Sequence, residues 1–257
     1  MIKAIFFDID GTLLSHSMGC IPLDTLEALC RLREKGIRTA IATGRHLLEM
    51  RELPVWQTPY DGYVLLNGQM VLGKELEPLF EAPFLPAERD YLVRLFEEKK
   101  TPLILADRQR MYINFSTPAV ERAQAAISTP VPPVGQYRGE SLFQAIAFAG
   151  AGAEETLSRA LPGCGLTRWN SFGIDVTPQG GGKVTGLRLL MERWGICREE
   201  TMAFGDGEND LEMLRFAGIG VAMGNAPESV KEAADYVTSS VDDGGVARGL
   251  KALGLLP

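Results

Sequence analysis

Short apolar runs alternate with amphipathic segments at both ends of the chain, and this alternation restricts the fold more than any other feature. The run IKAIFF is followed by the helical pattern DTLEALCRLREKG and then by a second apolar run, IRTAIAT. After residue 181, the helical patterns VTGLRLLMERWG and ENDLEMLRFAG alternate with the strand patterns TMAFG and IGVAM. Such alternation predicts a parallel sheet covered by helices. In the first helix we expect Leu26, Leu29 and Cys30 to share the buried face.

The middle of the chain has a different pattern. The segments TPLILA, RMYINF, SLFQAIAFAG and FGIDVTP have the spacing of hairpins, with two or three helices between them. We therefore predict an inserted α+β domain over residues 82–180 and a core made of residues 1–81 and 181–257. The expected hinges are EAPFLP and TPQGGG, because both are rich in proline or glycine.

Composition excludes several classes of protein. A chain of 257 residues with 46% hydrophobic residues can bury a sizeable core, and it predicts a soluble globular protein. Lys and Arg total 26 against 33 Asp and Glu, and the net charge of -7 argues against nucleic-acid or membrane-surface binding. The four cysteines are widely spaced without a CxxC pair, which predicts free thiols in a reducing cytoplasm. No protein partner is evident from the sequence.

Polar residues stand where the buried strands end. Asp8 and Asp10 follow the first strand, and alternation places their side chains on the same side of the backbone. The second strand runs into Thr43, and the strand TMAF runs into Asp206. Parallel sheets bind ligands beyond the carboxyl ends of their strands, so these side chains are expected to converge. Together with Asp210, the acids form an oxygen-rich pocket that suits a hard divalent cation, and Mg²⁺ is the natural candidate.

The motifs DIDGT and ATGR, the lysine at Lys183 and the motif GDGEND resemble the four motifs of the haloacid dehalogenase superfamily, in their usual order. The insert between the second and third motifs lies where Cof-type, subclass IIB phosphatases carry their α+β cap. The resemblance implies a Rossmann-like, doubly wound parallel sheet with an inserted cap domain. The sequence departs from the subgroup at Val184, where glycine usually follows the lysine, and Gly186 comes later.

The resemblance also implies a reaction, the Mg²⁺-dependent hydrolysis of small phosphorylated metabolites, sugar phosphates above all. Asp8 would attack phosphorus and form an aspartyl-phosphate. Asp10 would protonate the departing alcohol and then deprotonate the attacking water.

The family's binding residues carry over to matching positions. The implied metal ligands are the carboxylates of Asp8 and Asp206, the backbone carbonyl of Asp10, and Asp210 through water. The implied phosphate-binding residues are Thr43, Gly44, Arg45, Lys183 and Asn209.

Several of these residues have plainer interpretations. Arg45 could contact the substrate or brace its own loop. Most lysines in globular proteins are solvated surface residues, and Lys183 could be one of them. Asn67 and Gly68 together suit a tight hairpin turn, although this subgroup has an Asn-Gly near its site. We expect the two histidines, His16 and His46, to have polar surface roles.

Other functions use similar features. A nucleotide-binding loop is excluded because TPQGGGKV has Thr177 in place of the first glycine and Val184 in place of Ser or Thr. A phosphotransferase or mutase on the same scaffold stays open, as does a non-catalytic binding module. The intact acids Asp8 and Asp10 and the lysine favour an enzyme.

Overall fold

The computed structural model describes residues 1–257, and the chain divides into two compact units. The first unit is Met1–Phe80 with Gly182–Pro257, and the second is Glu81–Gly181. Each unit has its own cluster of buried apolar side chains. Every helix is too short or too polar to cross a lipid bilayer.

The strands are β1 Ala4–Phe7, β2 Arg38–Ala42, β3 Gly62–Leu65, β4 Met70–Gly73, β5 Pro78–Glu81, β6 Leu103–Asp107, β7 Met111–Ile113, β8 Leu142–Phe148, β9 Cys164–Arg168, β10 Gly173–Pro178, β11 Thr201–Gly205, β12 Ile219–Ala222 and β13 Tyr236–Val237. The helices are α1 Leu23–Glu34, α2 Leu47–Arg51, α3 Pro86–Glu98, α4 Pro118–Ala126, α5 Ala153–Ala160, α6 Lys183–Trp194, α7 Leu211–Phe216, α8 Glu228–Lys231 and α9 Gly245–Ala252.

The large sheet of the first unit has the order β13-β12-β11-β1-β2-β3-β4-β5. The strands from β13 to β3 are parallel, and β4 pairs with β3 antiparallel. Every residue of β1 is buried, as expected for a central parallel strand covered on both faces. The predicted α/β class with a doubly wound parallel sheet is confirmed.

Helix α6 packs against this sheet through one apolar face. Its buried residues include Gly186, Leu187 and Leu190, which recur at helical spacing. A Cβ at Gly186 would lie 2.4 Å from a methyl group of Val64, so only glycine allows this close approach of the helix to β3. The helix ends at Gly195, which has the left-handed conformation common at helix C-termini.

The second unit is a five-stranded antiparallel sheet with the order β7-β6-β8-β10-β9, together with helices α3, α4 and α5. Its core includes Phe96, Tyr112 and Ile174. Strand β9 was not predicted, because the segment CGLTR is an edge strand that is only partly buried.

Two local expectations were inaccurate. Cys30 is exposed, because the buried face of α1 runs through Thr25, Ala28, Leu29 and Leu32 instead. The β3–β4 hairpin forms as expected, but four residues connect Leu65 to Met70 instead of a two-residue turn.

Candidate active site

Asp8 follows directly on β1, the central strand of the parallel sheet. Its backbone N–H donates to the carbonyl of Phe204 at the end of the neighbouring strand β11, which carries the parallel pairing as far as this residue. Only 6% of Asp8 is exposed. The carboxylate is therefore held in a buried position at the carboxyl edge of the sheet.

Lys183 is the first residue of α6, and its side chain ends between two carboxylates. Its Nζ donates to Oδ1 of Asp8 at 2.8 Å and to Oδ1 of Asp210 at 2.6 Å. Burial opposes the charged form of this amine, but the two carboxylates outweigh that effect and raise the pKa of Lys183. The lysine is therefore a buried cation, and the surface interpretation is wrong.

Asp206 follows β11 and is oriented by two side chains. The hydroxyl of Thr12 donates to its Oδ1 at 3.0 Å, and the Nδ2 of Asn225 donates to its Oδ2 at 3.1 Å. Asn225 also donates to the carbonyl of Gly11 and accepts from the N–H of Val241, so it joins three loops. Gly11 has φ +72°, and a Cβ there would lie 2.2 Å from Oδ2 of Asp206.

Asp210 is fully buried, and both of its oxygens are engaged. Oδ1 accepts from Lys183, while Oδ2 accepts from the backbone N–H groups of Asp206 and Gly207 at 3.0 and 2.9 Å. In this structure, Asp210 orders the loop that carries Asp206.

Three acids meet at this edge of the sheet. Oxygens of Asp8, Asp206 and Asp210 lie within 4.8 Å of one another. Burial, together with the charge of Asp210, raises the pKa of Asp206 to about 7, and burial raises the pKa of Asp8 well above its ordinary value. Such mutual repulsion and an all-oxygen donor set fit a hard divalent cation. These residues could therefore hold one.

Asp10 lies beside this cluster and is bound by a guanidinium and an imidazole. Arg45 donates from Nε to Oδ2 and from Nη2 to Oδ1, both at 2.6 Å. The Nε2 of His16 lies 2.9 Å from Oδ1. Burial alone would raise the pKa of Asp10, but the hydrogen bonds from Arg45 and His16 lower it to about 2. In this structure the Arg45 guanidinium therefore binds the Asp10 carboxylate through two hydrogen bonds.

The remaining predicted phosphate-binding residues lie around a strained turn. Asn67 has φ 53° and ψ 34°, and its Oδ1 accepts from Nδ2 of Asn209 at 3.1 Å. Its backbone N–H donates to the carbonyl of Thr43, and a Cβ built on Gly44 would lie 3.1 Å from its side-chain amide. The hydroxyl of Thr43 accepts from the N–H of Arg45, which leaves the hydroxyl hydrogen able to donate to a ligand.

The surface expectation was wrong for His46. His46 is 1% exposed and caps α2, where its Nδ1 accepts from the N–H of Leu48. His16 contacts Asp10. Sequence reasoning also missed Thr12 and Asn225. The position of Thr12 inside DIDGT was an available signal, whereas nothing local to Asn225 indicated its contact with Asp206.

The sequence from residue 5 to residue 250 matches the haloacid dehalogenase-like hydrolase family. The chain belongs to this family. YkrA of Bacillus subtilis (strain 168) is 34% identical to this hydrolase over 257 residues, which are 99% of this chain and 98% of YkrA.

Two solved structures extend the comparison. BT1666 from Bacteroides thetaiotaomicron is described among phosphatases of the superfamily. It is 34% identical to this hydrolase with a TM-score of 0.90, and the match covers 100% of this hydrolase and 96% of BT1666. BT4131 is described as a subclass IIB sugar phosphatase. It is 34% identical to this chain with a TM-score of 0.88, and the match covers 99% of this chain and 100% of BT4131. The predicted superfamily and enzyme class, a phosphatase, are confirmed.

Proposed function

We propose that this hydrolase is a Mg²⁺-dependent phosphomonoesterase that acts on small phosphorylated metabolites, with sugar phosphates as the leading class, through an aspartyl-phosphate. One observation carries the proposal: the buried carboxylate of Asp8 contacts the cation Lys183 on one side and lies in an acid cluster with Asp206. The positive charge of Lys183 therefore lies where negative charge would develop on the phosphoryl group as Asp8 attacks.

In the first step, an oxygen of Asp8 attacks phosphorus, and the bond from phosphorus to the alcohol oxygen breaks. Asp10 gives its proton to that departing oxygen. Lys183 lies within hydrogen-bond distance of the attacking carboxylate, so it can balance the negative charge of the transferring group. The Thr43 hydroxyl and the Asn209 amide are the neutral donors that we assign to the phosphoryl oxygens.

In the second step, Asp10 takes a proton from water, the water oxygen attacks phosphorus, and the bond to Asp8 breaks. The ionised form favoured by Arg45 and His16 suits this role as a base. The acid role needs a proton, and a phosphate dianion beside Asp10 favours the protonated carboxyl, because like charges raise its pKa.

Asp8 and Asp206, with the backbone carbonyl of Asp10, are the residues that we assign to Mg²⁺, and Asp210 supports them. When bound, the cation supplies charge neutralisation for the paired acids and for the phosphoryl oxygens. Asn225 and Thr12 orient Asp206 toward the cluster by the hydrogen bonds described above.

We assign substrate selection to the second unit, with its boundaries near residues 82 and 180, by analogy with the cap of the subclass IIB phosphatases. The full-length match to the sugar phosphatase BT4131 supports this assignment and the sugar-phosphate class. We also propose a reducing cytoplasmic location, since all four cysteines are free thiols.

A phosphate-release assay tests the proposal. Purified protein with excess MgCl₂ is incubated with a panel of sugar, nucleotide and cofactor phosphates. We expect release of phosphate from sugar phosphates in preference to the others. Conversion of a hexose 1-phosphate into an isomer without phosphate release would instead establish a mutase, and no reaction with any ester would leave only a binding role.

A further inference from the structure

We infer that Gly68 is a positioning residue for the reaction: packed directly on Gly182, it fixes the start of helix α6 and so holds the amine of Lys183 against Asp8. This inference rests on the proposed function, because it depends on the task that we assign to Lys183, the balance of charge at the nucleophile. It gives a role to a glycine that none of the four sequence motifs contains.

The turn between β3 and β4 has an unusual backbone. Leu66, Asn67 and Gly68 follow one another with φ values of 53°, 53° and 89°. Residues with a side chain rarely adopt this left-handed conformation, and here two of them do so in succession. Leu66 is also completely buried. The surrounding structure therefore imposes this conformation on the turn.

Backbone and side-chain hydrogen bonds tie the turn to two loops of the site. The N–H of Leu66 donates to the carbonyl of Arg45 at 3.1 Å, and the N–H of Asn67 donates to the carbonyl of Thr43 at 2.9 Å. The side chain of Asn67 accepts from Nδ2 of Asn209 at 3.1 Å. The turn is thus attached to the segments that carry two of the donors assigned to the phosphoryl oxygens.

Gly68 extends these attachments to the helix that carries the lysine. A Cβ on Gly68 would lie 2.1 Å from the carbonyl oxygen of Gly182 and 2.2 Å from its carbonyl carbon, so only glycine allows the two backbones to meet. Gly182 directly precedes Lys183, and its carbonyl accepts from the N–H of Gly186 at 3.2 Å, in the first turn of α6. The contact therefore lies at the point where the helix begins.

An alanine at position 68 would move that point. Cβ atoms essentially never come within 3.0 Å of such a neighbour, so the two backbones would have to separate by about 1 Å. The turn is held by its hydrogen bonds, whereas Gly182 is only partly buried and has open space around it. We therefore expect Gly182 to move and Lys183 to move with it. A displacement of about 1 Å that originates away from the chemistry can lower a rate about 10²-fold.

The experiment measures kcat and KM for 4-nitrophenyl phosphate with the full-length protein and MgCl₂. For Gly68→Ala we expect kcat to fall by about 10²-fold with KM close to the parent value, the pattern of an interaction that acts in the transition state. Gly195→Ala is the matched control. Gly195 ends the same helix with φ +65°, and a Cβ there would meet no atom within 4 Å, so alanine adds strain without a clash and should keep the parent kcat.

A double variant separates positioning from general damage. In the Lys183→Ala background there is no amine to misplace, so Gly68→Ala should lower kcat little further. A general defect, such as a smaller folded fraction, would instead multiply with the loss caused by Lys183→Ala.

Gly182→Ala repeats the test from the other side of the contact if Gly68→Ala does not fold, as judged by circular dichroism. Its φ of +120° is one that alanine avoids, so the carbonyl must shift, while the new Cβ would meet no atom within 4 Å. The same loss of kcat, absent from the Lys183→Ala background, is expected.

A parent-like kcat in the folded variant, an equal loss in Gly195→Ala, or losses that multiply in the double variant would overturn the inference about Gly68 and leave the phosphatase untouched. Activity retained by Asp8→Asn, or no hydrolysis of any ester by the parent protein, would instead overturn the proposed function.

Discussion

The Nζ of Lys183 lies 2.8 Å from Oδ1 of Asp8, although 175 positions separate the two residues in the chain. The lysine begins a helix that follows the second unit, while the aspartate directly follows the first strand. Both side chains are almost completely buried. A buried ion pair of this kind is costly to form and more costly to break, because either partner alone would be an uncompensated charge.

Replacement of Lys183 therefore tests the charge balance at the nucleophile. We expect Lys183→Ala to lower kcat by about 10²–10³-fold, the range for removal of one donor to a transition state. Arg188→Ala is the matched control, because Arg188 is an exposed cation on the same helix. Steady-state hydrolysis of 4-nitrophenyl phosphate is the measurement. Similar activities for the two variants would contradict the assigned role.

The sequence was a good guide wherever a function depends on a local pattern. Asp8 and Asp10 end an apolar strand, and that pattern is visible in thirteen letters, IKAIFFDIDGTLL. Contacts between distant loops left no such signal. His16 contacts Asp10, and the neighbouring Ser15 donates to Asp242, contacts that exist only in three dimensions. The error at Cys30 has a local cause, since a small shift in the helical face exposes a residue at its edge.

The acid cluster predicts an unusual pH dependence of the metal-free protein. The pKa of Asp206 is about 7 in the folded chain and 3.8 ordinarily, so between these values the folded state binds more protons than the unfolded state. The free energy of unfolding should therefore fall as the pH rises from about 4 to about 7. Urea denaturation of EDTA-treated protein at several pH values across this range measures the free energy of unfolding. Asp206→Asn should make this free energy depend less steeply on pH.

A bound cation should reverse that loss. At pH 7.5, Mg²⁺ at a hundred times its dissociation constant should raise the free energy of unfolding by about 2.7 kcal/mol. A metal-free protein whose stability neither falls with rising pH nor responds to MgCl₂ would rule out the cation site.

Asn225 gives a separate test of the same site by binding alone. Its side chain joins Asp206 to the Gly11 carbonyl, and partners of metal ligands typically influence affinity by 10–100-fold. Titration calorimetry with MgCl₂ should show a loss in that range, about 10–100-fold, for Asn225→Ala. Ser239→Ala, a nearby change with no contact to Asp206, should bind as the parent does. Equal Mg²⁺ affinities for all three proteins would contradict a role of Asn225 in the cation site.

The left-handed backbone at Asn67 allows the role of its side chain to be separated from that of its conformation. Asn67→Gly keeps φ near 53° at little cost and removes the side chain, and with it the contact with Asn209. Asn67→Ala removes the same contact and adds about 1–2 kcal/mol of backbone strain. We expect a similar loss of kcat in both variants and a lower thermal stability only for alanine. A glycine variant with full activity would show that the amide is dispensable.

The assignment of different tasks to Asp8 and Asp10 is the central claim, and rapid-mixing kinetics with 4-nitrophenyl phosphate tests it most directly. Asp8→Asn has no nucleophile and should be inactive toward every ester. Asp10→Ala keeps the nucleophile but lacks the base for the second step, which should slow by about 10²–10⁴-fold.

The Asp10→Ala protein should therefore release up to about one equivalent of nitrophenol per enzyme in a burst, followed by a slow steady state, as expected for an accumulating covalent intermediate. A sugar phosphate should give no burst, because its alkoxide needs the missing acid. Near-normal activity of Asp8→Asn, or parent-like kinetics of Asp10→Ala with both esters, would contradict the account.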